Sequence, residues 1–215
     1  MSAQNLTLLT DLYELTMMQG YFETQENQTV VFDVFFRDNP NKGGYSVMAG
    51  LDQGIDYIKN LNFSYEDVDY LRGLGLFSED FLHYLSGFHF SGDIYAIPEG
   101  SVIFPREPLL KVVAPIMEAQ LVETAILTIL NHQCLIATKA SRVVYAAQGD
   151  GIMEFGLRRA QGPDAGLYGA RAAVIGGCVG TSNVLAGEMF DVPVMGTHAH
   201  SWIMTFKDEY TAFKE

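Results

Sequence analysis

The chain is 215 residues long, 48% hydrophobic and 18% charged, which excludes a disordered polypeptide and allows one large core or two small ones. Its formal charge of −13 argues against nucleic acid as a partner, because nothing would neutralise phosphates in bulk. A small anion held by a few arginines or backbone amides stays open.

The first residues carry no basic stretch ahead of an apolar core, so no signal peptide is predicted. No apolar run reaches membrane-spanning length, and the expected location is cytoplasmic. Leu12, Leu15 and Met18 recur at helical spacing and predict a helix over 11–21, capped by Thr10 or Asp11. The run QTVVFDVFFRDNP predicts a strand closed by Asn39-Pro40 and a Lys42-Gly43-Gly44 turn. Two short helices follow in LDQGIDYIKNL and YEDVDYLRGLG. Over 91–115, short β-runs are punctuated by Pro98, Gly100, Pro105 and Pro108, which predicts a small β element closing a first domain.

After Pro115 the texture changes. Residues 116–148 predict one long helix, apolar on nearly every face from Leu121 to Leu130 and therefore buried. From Gly151 the pattern becomes strand, glycine-rich turn, helix, repeated. Strands are expected in IMEFGLRRA, CVGTSN and VPVMGT, and helices in DAGLYGARAAVIGG, NVLAGEMF and KDEYTAFKE. Such alternation signals parallel βα units, in a sheet or a barrel. The expected organisation is α/β, with an N-terminal α/β domain over 1–115 and the first part of an α/β barrel over 116–215. A complete eight-fold barrel takes about 250 residues, and roughly three βα units fit here, so the expectation is the N-terminal part of a longer protein.

Several residues carry candidate chemistry. Arg158 and Arg159 follow directly on a predicted strand, where ligands of α/β folds gather, and guanidinium forks suit carboxylate or phosphate. The alternative is pairing with Glu154 or Asp164. On a strand only one of the two arginines would face the site. Gly180, Thr181 and Ser182, in GTSN, offer turn amides to a phosphate, against ordinary helix capping by Ser182 or Asn183. His198 and His200 share a face if VMGTHAHSW is extended. They allow a metal clip, one acid–base or nucleophilic histidine beside an idle neighbour, or two plain loop residues. His83, His89 and His132 all precede the βα region, so further metal ligands are lacking and no metal site is assigned. Tyr13 is a core aromatic or a ring that stacks on a planar ligand. Cys134 and Cys178 show no zinc spacing and read as buried reduced thiols.

Together LLTDLYELTMMQGY, FDVFFR, PEGSVIFPREPLLKV, EFGLRRAQGPD, GTSNVLAG and GTHAHSW resemble the nicotinate phosphoribosyltransferase family, in that family's order and across essentially the whole chain. The resemblance implies a type II phosphoribosyltransferase, with the second part forming an irregular, incomplete α/β barrel. It implies joining of nicotinate to phosphoribosyl pyrophosphate, driven by ATP with Mg²⁺, in NAD biosynthesis. Within GTHAHSW the resemblance makes His200 the phosphorylated residue and leaves His198 at a variable position. It implies that Thr197 contacts the nicotinate end of the site and that Tyr13 stacks on the ring across a homodimer interface. Arg158 and Arg159 become the anion-binding pair. The family's acidic ribose-diphosphate segment, a further carboxylate-binding arginine and a phosphate-binding glycine loop are not in this sequence. Other readings are a metal-dependent barrel hydrolase built on His198 and His200, and a non-catalytic chain that binds a partner.

Overall fold

A computed structural model describes residues 5–215. Helix α1 (Leu12–Glu23) begins after an extended Asp11, whose carbonyl accepts the Glu14 amide at 3.0 Å, and it buries Leu15 and Met18. Asp11 makes no side-chain cap, and the Thr10 hydroxyl donates to the Glu14 carboxylate instead. Strand β1 (Thr29–Val34) alternates in burial as a half-buried strand does, and β2 (Ser46–Val47) is short and wholly buried.

Helices α2 (Leu51–Lys59) and α3 (Tyr65–Gly73) match the sequence pattern, and α3 starts at a capping box between Ser64 and Asp67. A further helix, α4 (Glu79–Ser86), was not expected. Ser78 caps it by accepting the Phe81 amide, and it buries Phe81, Leu82 and Leu85.

The proline-punctuated stretch is not a separate β element. It supplies β3 (Asp93–Ala96), β4 (Val102–Ile103) and β5 (Leu110–Pro115), and β5 is the centre of an antiparallel sheet ordered β1-β5-β3. Strand β4 pairs with β2. Pro98, Pro105 and Pro108 fall between strands, where their missing amides break no ladder.

The expected long helix is broken at Val122 into α5 (Ile116–Leu121) and α6 (Glu123–Ala146). All six residues of α5 are buried, whereas α6 leaves Leu127 and Thr128 exposed, so its burial is one-sided. The main core runs from Leu15 to Cys134. The change of texture at Pro115 is therefore a change of secondary structure within one core. Where β2 meets α6, the Thr138 hydroxyl accepts the Val47 amide at 2.9 Å, and the Cys134 thiol donates to the Ala49 carbonyl at 3.2 Å.

The βα pattern holds, with shorter strands than expected. Strand β6 (Met153–Glu154) is followed by α7 (Pro163–Ile175), and β7 (Gly180–Thr181) by α8 (Val184–Phe190). Strands β6 and β7 pair in parallel, and the expected strand over 192–197 is a single parallel bridge between Thr181 and Val194. Ala165 lies against His132, Gly176 against Ala137 and Ala140, and Gly177 against Val144. These contacts climb in one direction, so α6 and α7 run parallel, as successive helices of βα units do. Two short helices, α9 (His200–Thr205) and α10 (Glu209–Lys214), end the described residues.

One polar clamp joins the two parts. Arg171, on α7, donates to both carboxylate oxygens of Glu99 at 2.9 and 2.7 Å. Glu99 Oε1 also accepts the amides of Gly50 and Leu51 at 2.6 and 3.0 Å, where α2 begins. Burial would raise the Glu99 carboxyl pKa, but Arg171 and the two amides outweigh it and hold the group below its usual value. The stability this contributes is complete above the unfolded-chain value of about 4.3 and is lost as pH falls through the lower folded value.

Two predictions follow from this packing. Glu99→Gln removes about 2 kcal/mol or more at neutral pH and flattens the acid limb of stability, as read by urea unfolding across pH 3–7. A Cβ at Gly176 would come within 2.4 Å of the Ala137 carbonyl oxygen, although its φ of −73° suits any residue. Gly176→Ala therefore costs about 1–3 kcal/mol by pushing α6 and α7 apart, measurable as a lowered urea midpoint.

Candidate functional site

Because β6, β7 and the segment at Val194 are parallel, their carboxyl ends open on one rim. The residues that follow them are Phe155–Arg159, Ser182–Asn183 and Met195–His200. Those segments carry Arg158, Arg159, Ser182, Thr197, His198 and His200. Ligands of open and closed α/β folds collect at this end of the strands.

The expected strand carrying the two arginines stops at Glu154, and Leu157–Arg159 form a 3-10 turn. The prediction that only one arginine faces the site rested on strand geometry and does not apply. Both side chains are exposed, and the ion pairs among the described residues belong to Arg72 and Arg171. Neither Arg158 nor Arg159 is tied to Glu154 or Asp164. Two solvated guanidiniums on one turn can grip a carboxylate or phosphate without first breaking an internal pair.

The GTSN turn uses its donors internally. The Thr181 amide donates to the Pro193 carbonyl, the Ser182 amide to the Glu154 carbonyl, and the Asn183 amide to Thr181 Oγ1, each at 3.0 Å. Asn183 caps α8 by accepting the Ala186 amide at 3.2 Å, and its Nδ2 donates to the Gly166 carbonyl at 3.3 Å. Gly180 is bare because a Cβ there would lie 2.6 Å from the Pro193 carbonyl oxygen. The amides of Thr181 and Ser182 are thus spent on the sheet, and capping is the role this geometry gives Asn183. The Ser182 hydroxyl is the group this turn leaves for a ligand.

His198 and His200 do not share a strand face. The chain is irregular between Val194 and Ala199, and His200 is the first residue of α9. The His198 ring packs edge-on to Phe213 at 5.6 Å, while Trp202 donates to the Ala212 carbonyl at 2.9 Å. The last two helices therefore pack against His198, while the His200 imidazole is exposed. Among the described residues no group of three or more His, Cys, Asp or Glu side chains could hold a metal ion. The buried cysteines are poor nucleophiles: loss of solvent pushes the Cys134 thiol up to about 11 and raises Cys178 as well.

Tyr13 is exposed on α1 and donates to Glu14 Oε1 at 3.3 Å, and the Thr124 hydroxyl donates to the same oxygen at 2.8 Å. The loss of solvent raises its phenol pKa, as do the nearby Glu123 and Glu14 carboxylates. Tyr13 thus sits beside the start of α6, and the axial distance from Thr124 to His132 is about 12 Å. His132 lies level with the first turn of α7, its Nε2 3.2 Å from the Ala165 carbonyl oxygen. Tyr13 therefore lies towards the same end of the molecule as the rim, and no contact joins it to the rim residues.

Two residues of the rim were missed as functional candidates. Phe155 is exposed immediately after β6, and an aromatic face beside guanidiniums suits a flat anionic ring. Its signal was its place directly after the last residue of a parallel strand. Glu154 had been weighed only as a partner for arginine. It accepts the Thr181 hydroxyl at 2.6 Å and the Gly156 amide.

Comparison with known proteins agrees along the chain. Residues 8–131 match the family model described as the nicotinate phosphoribosyltransferase (NAPRTase) N-terminal domain, and residues 151–214 the one described as the NAPRTase family. A nicotinate phosphoribosyltransferase of Mycobacterium tuberculosis is 46% identical over 207 residues, covering 96% of this chain and 45% of its own length. That of Bacillus subtilis is 46% identical over 212 residues, covering 98% and 43%. The crystal structure of human nicotinic acid phosphoribosyltransferase superposes with a TM-score of 0.84 at 37% identity, covering 92% of this chain and 40% of that one. Nicotinate-nucleotide pyrophosphorylase from Pyrococcus furiosus superposes with a TM-score of 0.79 at 27% identity, covering 100% and 48%. The chain thus spans less than half the length of these relatives.

The cap on α8 is directly testable. Asn183→Ala loses both the cap and the tie to α7, and should cost about 1–2 kcal/mol in urea unfolding.

Proposed function

We propose that this chain, which belongs to the nicotinate phosphoribosyltransferase family, acts in the joining of nicotinate to phosphoribosyl pyrophosphate, coupled to ATP hydrolysis. What supports this reading is that the exposed Phe155, Arg158, Arg159 and His200 all lie in segments that follow the carboxyl ends of the parallel β6, β7 and Val194 positions. In the glycosyl step the nicotinate ring nitrogen bonds to the sugar C1 as the bond from C1 to the diphosphate oxygen breaks. Arg158 and Arg159 hold the anionic groups of the substrates, the diphosphate among them. Stabilising a leaving diphosphate needs cationic donors placed where charge develops. Thr197 contacts the nicotinate end of the site.

His200 is the nucleophile of the coupling step. A neutral ring nitrogen attacks the γ-phosphorus of ATP, the bond to the β,γ-bridging oxygen breaks, and ADP leaves. The phosphohistidine then favours the closed, substrate-binding state, and its hydrolysis releases products. The residues of this chain form no carboxylate cage for Mg²⁺ among those described. In this reading the ion arrives on the substrates' phosphates, the usual mode for a cation that keeps part of its water shell.

Tyr13 serves a second copy of the chain, stacking on the nicotinate held there. Its exposed neighbours Leu9, Leu12 and Met17 give α1 an apolar surface suited to such a homodimer contact. A cytoplasmic location belongs to the same proposal. Among the described residues no helix is long and apolar enough to cross a membrane.

The test is phosphoryl transfer from γ-labelled ATP, followed by mapping of the label and an assay for nicotinate mononucleotide with and without ATP. An acid-labile label on His200 is expected, absent in His200→Ala and kept in His198→Ala. A label elsewhere, or none together with no product, overturns the reading.

A further inference from the structure

The rim holds one carboxylate among its cationic and neutral groups, and that carboxylate pairs with no cation among the described residues. Glu154, half-buried as the last residue of β6, lies four and five positions before Arg158 and Arg159 and contacts neither. Its oxygens are spent on two neighbouring segments instead. Oε1 accepts the amide of Gly156, the residue that opens the arginine turn, and Oε2 accepts the Thr181 hydroxyl at 2.6 Å. Thr181 is fully buried, and its Oγ1 in turn accepts the Asn183 amide at 3.0 Å. Asn183 then reaches α7 through the Gly166 carbonyl and α8 through the Ala186 amide. One chain of hydrogen bonds, part-buried at Glu154 and buried beyond it, therefore runs from the arginine turn to the strand and helices behind it.

The residue type at Gly156 fits the same contact. Its φ of −86° and ψ of −9° suit any residue, so the glycine is not there for a special backbone angle. A Cβ would lie 2.7 Å from Glu154 Oε1. The absent side chain leaves room for the carboxylate to cross over the turn.

We propose that Glu154 is a positioning residue, which sets the Arg158–Arg159 turn against the Thr181–Ser182 segment so that the two guanidiniums meet a diphosphate group at a fixed spacing. The inference rests on the proposed role of those arginines. A carboxylate suits the task because both of its oxygens accept at once, and bonds to a charged acceptor are the stiffer ones. A glutamine offers one acceptor and turns an amide towards the other donor. With one tether gone the turn moves independently of β7, and the anion must order it on binding.

The test compares the 215-residue chain with Glu154→Gln and Gly156→Ala, which disturb one contact from opposite sides. Inorganic pyrophosphate binding is measured by calorimetry, the KM for phosphoribosyl pyrophosphate and kcat by assay, and the melting temperature alongside. Both variants should bind pyrophosphate about tenfold more weakly or worse. KM should rise correspondingly, kcat should stay within about threefold, and melting should stay within about 3 °C. Unchanged binding in both variants overturns the inference, as does a loss of binding that merely tracks a fall in melting temperature. If the parent chain forms no nicotinate mononucleotide and takes no label from γ-labelled ATP, but its pyrophosphate affinity depends on Glu154, the proposed reaction fails and the positioning role stands. A parent chain that binds no pyrophosphate overturns the positioning role whatever its turnover.

Discussion

The two-pronged contact between Arg171 and Glu99 is the constraint on which the arrangement of the two parts depends. Glu99 sits in the turn between β3 and β4, and Arg171 lies on α7, the first helix after the parallel strands begin. The same carboxylate closes the start of α2 through the amides of Gly50 and Leu51. A single half-buried anion thus satisfies a guanidinium from one side and a helix end from the other. Gln133 of α6 adds a bond to Gln53 of α2 at 2.7 Å, and the Arg171 guanidinium lies 5.8 Å from the Phe190 ring at the end of α8. The clamp ties α7 to the β3–β4 turn and to the start of α2, and the arginine turn lies just before α7 in the chain.

The sheet that bears the site is small. Strands β6 and β7 have two residues each and the third segment touches them at one bridge, so ladder bonds alone hold little. Rigidity comes instead from close packing of parallel helices, with Gly176 letting α7 approach the α6 backbone, and from side chains bonded to the backbone at the strand ends. Glu154, Thr181 and Asn183 spend their polar atoms there, and Arg158, Arg159 and His200 are left free. Buried polar groups must be paired, while a group that meets a ligand must not be paired already. The rim divides its residues along that line.

Much of this was legible in the amino-acid order. Turn residues and hydrophobic spacing marked α1, α2, α3, α7 and α8, and the alternation after Gly151 marked parallel βα units. The spelled blocks around Tyr13, Arg158 and His200 pointed to the family. Helix α4, though not expected, was not hidden: the Ser78 cap and the helical spacing of Phe81, Tyr84 and Phe88 mark it. Other elements were hidden for physical reasons. The strand run into Arg158 and Arg159 ended early because Gly156 turns the chain under the Glu154 carboxylate. The paired face of His198 and His200 vanished because the chain is irregular after Val194 and His200 begins a helix.

Local sequence by itself determined which segments coil, which extend and which residue types stand near the strand ends, since those follow from backbone preference and spacing within a few residues. Only the tertiary structure decided that β5 is the middle of its sheet, that the first core runs on into α6, and that Glu99 and Arg171 meet across 72 positions. It also decided which polar atoms of the rim are already spent. Each of those outcomes depends on a partner far away in the chain, and no local window of sequence contains both members of such a contact.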